Sequence, residues 1–315
     1  MKTFCLALLL SLTAFSSTSP WLALPNVDVQ SYALELDVPD VNAATLRGQL
    51  RVKLKLSEAT DSFRFHTDSR RIQLRYARID GRRAQFAIIP GTPGGTNLTG
   101  ETLEFRSPRR LRTGAVHTLF LTYEVKVNTP GADGRVKPEG FFSLPAWNGT
   151  PILSSRSWPY YTRAWMPVHD HPSDVATFST RIRVPEGLMA LTNGQLRRIR
   201  SSIHSSGQKL VEYHAVLDVP TPTYNFNVVV GRFKAQAMTV CFPKTGPLSD
   251  ELGPCGSHTH RVPAQFFLPP AHPREAEFLQ NFTKANRSLS WFARLLGDYE
   301  FPKSAIVVAP HPFSM

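Results

Sequence analysis

No histidine in the chain is followed by glutamate. The H-E-x-x-H helix, which sets two zinc ligands one turn apart beside a glutamate base, is therefore missing. There is also no G-x-S-x-G nucleophile elbow, no glycine-rich phosphate loop and no dinucleotide fingerprint. None of the familiar hydrolytic, phosphoryl-transfer or hydride-transfer constellations is complete. Acidic residues are scarce, 24 against 36 lysines and arginines, so the surface is basic and suits anionic membranes, nucleic acid or acidic substrates. Yet no basic helix and no RNA-type aromatic signature is present, and no nucleic-acid partner is expected. The arginines at Arg70, Arg71, Arg75, Arg78, Arg82 and Arg83 alternate with apolar residues, the pattern of a strand's solvated face. No apolar run is long enough to span a bilayer comfortably, so no transmembrane span is expected.

At 315 residues the chain can hold one large or two ordinary domains around a real core. It opens with MKTFCLALLLSLTAFSS, where Lys2 precedes an apolar run from Phe4 to Phe15 and small residues follow. This reads as a signal peptide over 1–16, hence a protein exported to the periplasm or the extracellular space after cleavage. Cys5 would leave with it. Cys241 and Cys255 remain, close enough in sequence to close one small disulfide loop or to stay apart.

From Ser31 the apolar residues alternate: Tyr32, Leu34, Leu36 and Val38, then Leu46, Leu50, Val52, Leu54 and Leu56, with lysine and arginine between. Half-buried strands are the reading. Asp80-Gly81 marks a turn and Leu119 to Val127 continues the series. A second set follows in Phe178 to Val184, with Asn193-Gly194 as an expected hairpin turn and Tyr224 to Gly231 as a closing strand. The β-region is placed at 26–235. Residues 236–272 are rich in proline, glycine and serine and read as a linker. From Pro273, the spacing of Phe278, Leu279, Phe282, Ala285, Leu289, Phe292 and Leu296 predicts an amphipathic helix that stops at Gly297. A strand over Ser304 to Ala309 follows. Helix then strand points to a second, mixed α/β domain over 273–315.

The densest group of metal-ligand types is His169, Asp170, His171 and Asp174. Zinc uses such donors, but Pro167 and Pro172 bracket the group, and a turn in which Asp170 bonds nearby backbone amides is the expected role. Cys255, His258 and His260 also suit zinc by type; their spacing matches no familiar finger, and a flexible loop is expected. Acceptor triplets for N-glycosylation begin at Asn97, Asn148, Asn281 and Asn286.

The order of motifs is recognisable. RAWMPVHDHPSDVATFSTRIRVPEGLMALTNGQL, Arg163 to Leu196, resembles a stretch of the aminopeptidase N and leukotriene A4 hydrolase family of zinc metallopeptidases, the gluzincins. Pro167, Asp170, Pro172, Ala176, Phe178, Pro185, Asn193 and Gly194 fall at matching places. PTPTYNFNVVVGRF, with Tyr224 and Gly231, resembles the close of that family's N-terminal domain, and YEFPKSAIVVAP the opening of its catalytic domain. The resemblance implies a mainly β fold: a saddle-shaped β-sandwich N-terminal domain, then the truncated start of an α/β thermolysin-like domain. It implies zinc and a peptide substrate for a full-length relative. The family's G-x-M-E-N and H-E-x-x-H motifs are absent here, so no catalytic, substrate-binding or metal residue and no cofactor is assigned to this chain, and no hydrolysis is expected from it alone. Where the family often has a T-Q-x-E-type stretch that helps bind the substrate amine, this chain reads Ser155, Arg156, Ser157, Trp158, without a carboxylate. The alternative is a stand-alone exported β-sandwich binding module without catalysis.

Overall fold

The computed structural model describes residues 23–91, 99–132, 136–137, 139–146, 149–203, 207–243 and 259–310. The expected signal peptide, Cys255, His258, Asn97 and Asn148 lie outside them. The first strands are β1 (Val27–Asp37), β2 (Thr45–Leu56), β3 (Thr60–His66), β4 (Ile72–Ile79), β5 (Arg82–Arg83), β6 (Gln85–Ile89), β7 (Thr102–Leu111) and β8 (His117–Asn128). Then come β9 (Gly140–Pro145), β10 (Pro151–Arg156), β11 (Val175–Pro185), β12 (Met189–Thr192), β13 (Gln195–Ile203), β14 (Lys209–Pro222) and β15 (Val228–Gly231). A last group comprises β16 (Lys234–Pro243), β17 (Thr259–Leu268), helix α1 (Glu275–Leu296) and β18 (Ser304–Val307).

Alternation decides the core. In β2 every second residue from Leu46 to Leu56 is buried or replaced by glycine at Gly48, while Arg47, Arg51 and Lys53 face solvent. The same rule holds in β1, β8 and β11, so four adjacent strands present one continuous apolar face. They sit in the middle of a large sheet of order β12-β15-β10-β9-β8-β2-β1-β11-β14-β13, with β4 also on β8. β1 runs parallel to β11 and antiparallel to β2. A small sheet, β3-β7-β6, adds Phe63, Phe65 and Phe105 to the same core, their rings 5.7 to 5.9 Å apart.

The two ends of the long sheet are consecutive in the chain. β12 pairs with β15 and β13 with β14, and only Asn193 and Gly194 separate β12 from β13. A two-residue step can join opposite ends of a ten-strand path only if the sheet curls round, which is the saddle shape. Asn193-Gly194 is therefore a corner and not the expected hairpin turn. Gly194 has φ +85°, and a Cβ there would sit 2.4 Å from the Val216 carbonyl oxygen, so glycine is demanded twice over.

The expected linker over 236–272 is also corrected. All of β17 and all but the first two residues of β16 lie inside it, and the strands form an antiparallel pair from Lys234↔Leu268 to Pro243↔Thr259, with β18 parallel on the other side of β17. Proline content misled: Pro263 lies one residue outside the rungs that β18 makes, Ala264 to Phe267, at an edge position that proline tolerates. This sheet and α1 share a second core of Val240, Phe242, Val262, Ala264, Phe266, Leu268 and Phe282. The helix is as predicted, but only part of its stripe is covered. Phe278, Leu279, Phe282 and Leu289 pack inward, whereas Trp291, Phe292, Leu295 and Leu296 are exposed. Asn286 is buried and donates to the Phe282 carbonyl at 3.0 Å, so that glycosylation triplet is closed to a sugar. No helix among the described residues is long and apolar enough to cross a membrane.

Candidate functional site

The segment between β10 and β11 is where sequence and structure meet. After β10 the chain makes a cis Trp158-Pro159 bond and a single 3-10 turn, Thr162–Ala164, and from Thr162 to Asp170 every residue is buried. Burying nine residues outside regular structure requires partners for their polar groups. Arg163 and Asp170, both almost wholly buried, supply them for each other. The Arg163 backbone N–H and Nε donate to Asp170 Oδ2 at 3.2 and 3.1 Å, and its Nη2 donates to the Asp170 carbonyl at 3.0 Å. The second carboxylate oxygen accepts from the Thr223 hydroxyl at 2.8 Å. Asp170 N–H in turn donates to His66 Nδ1 at 3.0 Å, which ties the segment to β3. Asp170 thus bonds a backbone amide, as expected, and is the hub of a knot as well.

The same knot holds a second turn, Thr223–Asn225, between β14 and β15. Thr162 Oγ1 donates to the Thr223 carbonyl at 3.0 Å. From the other flank, Asn193 Nδ2 donates to the Asn225 carbonyl at 3.0 Å and Asn193 Oδ1 accepts the Asn227 N–H at 2.8 Å. Asp170, Asn193, Gly194 and Tyr224, far apart in sequence, therefore converge on one turn. Pro167 is buried inside the knot, Pro172 is exposed at its exit, and Gly231 ends β15 where a Cβ would press on Ile152 and Phe233. An aromatic column backs the knot. Tyr32 stacks on Phe178, Phe178 on Phe226 at 4.4 Å, Phe226 on Trp165, and Trp165 meets Phe141 edge-on.

Beside it lie His169 and Asp174. His169 Nε2 accepts the Leu24 N–H at 3.0 Å and Asp174 Oδ1 accepts the Val29 N–H at 3.0 Å, so the two side chains hold the entry of β1. His169 Nδ1 and Asp174 Oδ2 face each other at 3.4 Å. Burial lowers the His169 imidazole to about 4, with help from neighbouring His171, and raises the Asp174 carboxyl to about 7 against the Val29 N–H.

Zinc does not fit these residues. Both Asp170 oxygens are bonded to Arg163 and Thr223, His169 Nε2 holds Leu24, and His171 Nδ1 pairs with Ser173 Oγ at 2.7 Å. Among the described residues no three histidines, cysteines or carboxylates converge on a metal position. His260 lies exposed against Phe242. Cys241 is disulfide-bonded, and its partner lies outside the described residues. At the stretch Ser155 to Trp158, Ser155 Oγ accepts the Val228 N–H, and Arg156 lies 5.0 Å over the Tyr161 ring and 6.0 Å over Trp158, which is exposed. Burial lowers the Arg156 guanidinium from its usual range. The stretch itself is cationic and aromatic and has no carboxylate, while the buried Glu139 acts on Arg156 and Tyr161 from nearby.

Comparison with known proteins agrees with this geometry. Residues 29–224 match the Peptidase M1 N-terminal domain, which encloses β1 to the knotted turn. The chain belongs to that family. Among solved structures it is similar to an M1 zinc metallopeptidase from Deinococcus radiodurans, at 24% identity and a TM-score of 0.64 over 93% of this chain and 58% of the other. A mutant bound to a Tyr-Ser-Ala substrate, also from Deinococcus radiodurans, gives 23% and 0.64 over 92% and 58%. A two-domain M1 zinc metallopeptidase mutant bound to L-arginine gives 23% and 0.66 over the same shares. At such identities the likeness is one of fold, and the chain spans 58% of the length of these structures. No curated protein sequence matches significantly.

Proposed function

We propose that these residues serve as the N-terminal domain, with the first elements of the catalytic domain, of an exported zinc-dependent aminopeptidase that removes N-terminal residues from peptides. The observation that carries the reading is the family match over 29–224 together with the knot that its motif residues build. In this role the β-domain positions and does not react. Asp170 and Asn193, the motif side chains that make hydrogen bonds here, are committed to holding the fold. Zinc would polarise the scissile carbonyl and activate water, and its ligands would come from the H-E-x-x-H region that this sequence lacks. The exposed Trp291, Phe292, Leu295 and Leu296 end of α1 supports the reading, because an apolar surface of that kind suits packing by further elements. Ser155 to Trp158 offer no carboxylate, so that stretch does not itself anchor a substrate amine. The test is the coding sequence beyond Met315 together with the intact mass of the native protein. In-frame G-x-M-E-N and H-E-x-x-H and a mass well above 35.2 kDa are expected. A native product of this length with no such sequence beyond it would overturn the proposal in favour of a non-catalytic binding module.

A further inference from the structure

A cavity of about 520 Å³ lies where the Asn193-Gly194 corner meets the segment from Tyr299 to Val307. Its lining includes the apolar side chains of Leu217, Val229, Phe267, Phe301 and Val307. It also includes Asn193, Asn225, Asn227 and Lys303, and no aspartate or glutamate among the described residues lines it. Lys303 is the unusual member. Its Nζ donates to the Thr192 carbonyl at 2.8 Å, and no carboxylate is paired with it among the described residues. An ammonium has three donors, so two are left over in a partly desolvated place. The Asn225 side-chain amide makes no hydrogen bond among the described residues either, while its carbonyl holds Asn193 and Asn227.

A lone cation among neutral amides and apolar side chains is the wrong lining for a phosphate, which draws on several charged donors. It suits one carboxylate with an apolar tail. We propose that this cavity is a binding site for a small monocarboxylate whose carboxylate takes the Lys303 ammonium and the Asn225 amide, and whose hydrocarbon tail lies on Leu217, Phe267 and Phe301. The cavity borders the turn that the Arg163–Asp170 knot holds, and the proposal does not depend on the aminopeptidase reading. Burial draws the Lys303 ammonium down to about 8, so an anion that restores its charge gains from doing so. The other titratable side chain on the cavity wall, Tyr299, is raised by burial and stays neutral; its hydroxyl donates to the Lys303 carbonyl at 3.1 Å.

The test is titration calorimetry of the full chain with 3-phenylpropionate, acetate and inorganic phosphate, at pH 6.5 and pH 9.5. At pH 6.5 3-phenylpropionate is expected to bind, with acetate and phosphate at least about tenfold weaker. Lys303→Met should weaken binding by about tenfold or more, the scale of one hydrogen bond to a charged group, and raising the pH to 9.5 should weaken it in the wild type alone. Lys303→Gln, which keeps length and polarity, serves if the methionine variant fails to fold. No heat with any probe, equal binding by wild type and variant, or phosphate binding as tightly as 3-phenylpropionate would each overturn the proposal.

Discussion

Replacing Asp170 by asparagine should unfold the β-domain more readily than any conservative change of one atom elsewhere in the chain. The carboxylate accepts the Arg163 backbone N–H and Nε on one oxygen and the Thr223 hydroxyl on the other, with both side chains almost wholly buried. An asparagine keeps the shape, but turning its NH2 toward Arg163 sets donors against donors, and turning it toward Thr223 reverses that bond, with the hydroxyl now accepting. Either way the carboxylate charge beside the buried guanidinium is lost. Breaking a buried pair in this manner costs about 3–5 kcal/mol, which for a domain near this size lowers Tm by roughly 6–20 °C. Urea unfolding read by tryptophan fluorescence suits the measurement, because Trp165 is buried against Phe226 and Phe141 within the knot. The companion variant is Arg163→Met. Here Asp170 keeps Thr223 and the Arg163 backbone N–H, and the double variant Arg163→Met/Asp170→Asn should fall short of the summed single losses by about 1–3 kcal/mol. A loss below about 1 kcal/mol in Asp170→Asn, or strict additivity in the cycle, would refute the claim that this pair organises the fold.

A buried pair of another kind sets the pH response. The folded Asp174, raised to about 7, binds a proton that its unfolded form gives up near 4, so its stability contribution falls as pH rises through that window; the folded His169, lowered to about 4, does the reverse between 4 and 6.5. The two offset each other in the wild type, and Asp174→Asn should expose the histidine's half as a loss of up to about 3 kcal/mol between pH 6.5 and 4, seen as a urea midpoint that drops with acid faster than wild type; parallel curves would contradict it. Gly194→Ala puts a methyl 2.4 Å from the Val216 carbonyl at a positive φ and should cost about 1–3 kcal/mol or more, measurable as a Tm fall that Gly114→Ala, with open space around it, exceeds only if the curl argument is wrong. Tyr123→Phe should be neutral or stabilising by up to about 1 kcal/mol, since its hydroxyl is buried with no hydrogen-bond partner among the described residues; a clear loss in chemical denaturation would show that the hydroxyl is satisfied.

Period-two alternation made the strands of the β-domain readable, because each is buried on one face only and lysine or arginine marks the other. What a single sequence could not show is which strands meet. The pairing of β12 with β15 and β13 with β14 turned an Asn-Gly step that looks like a hairpin into the corner of a curled sheet. β17 was hidden because Pro263 and Pro270 resemble punctuation, and the tolerance of Pro263 depends on where β18 begins, at the Ala264↔Ser304 rung. Asp170 was legible as a residue that bonds nearby amides. Its partners Thr223 and His66, 53 and 104 residues away, were not, since nothing local in a threonine or histidine tells of a carboxylate from another part of the chain. Lys303 gave no signal either: only the cavity around it distinguishes it from a surface lysine.

The central claim is that this chain supplies the scaffold of a zinc peptidase while its motif residues do structural work. The most direct measurement is zinc content and aminoacyl-arylamide hydrolysis by the purified 315-residue chain, with and without added zinc. Folded protein holding far less than one zinc per chain and releasing no arylamine is the predicted result; one tightly held zinc with turnover that a chelator abolishes would contradict the account.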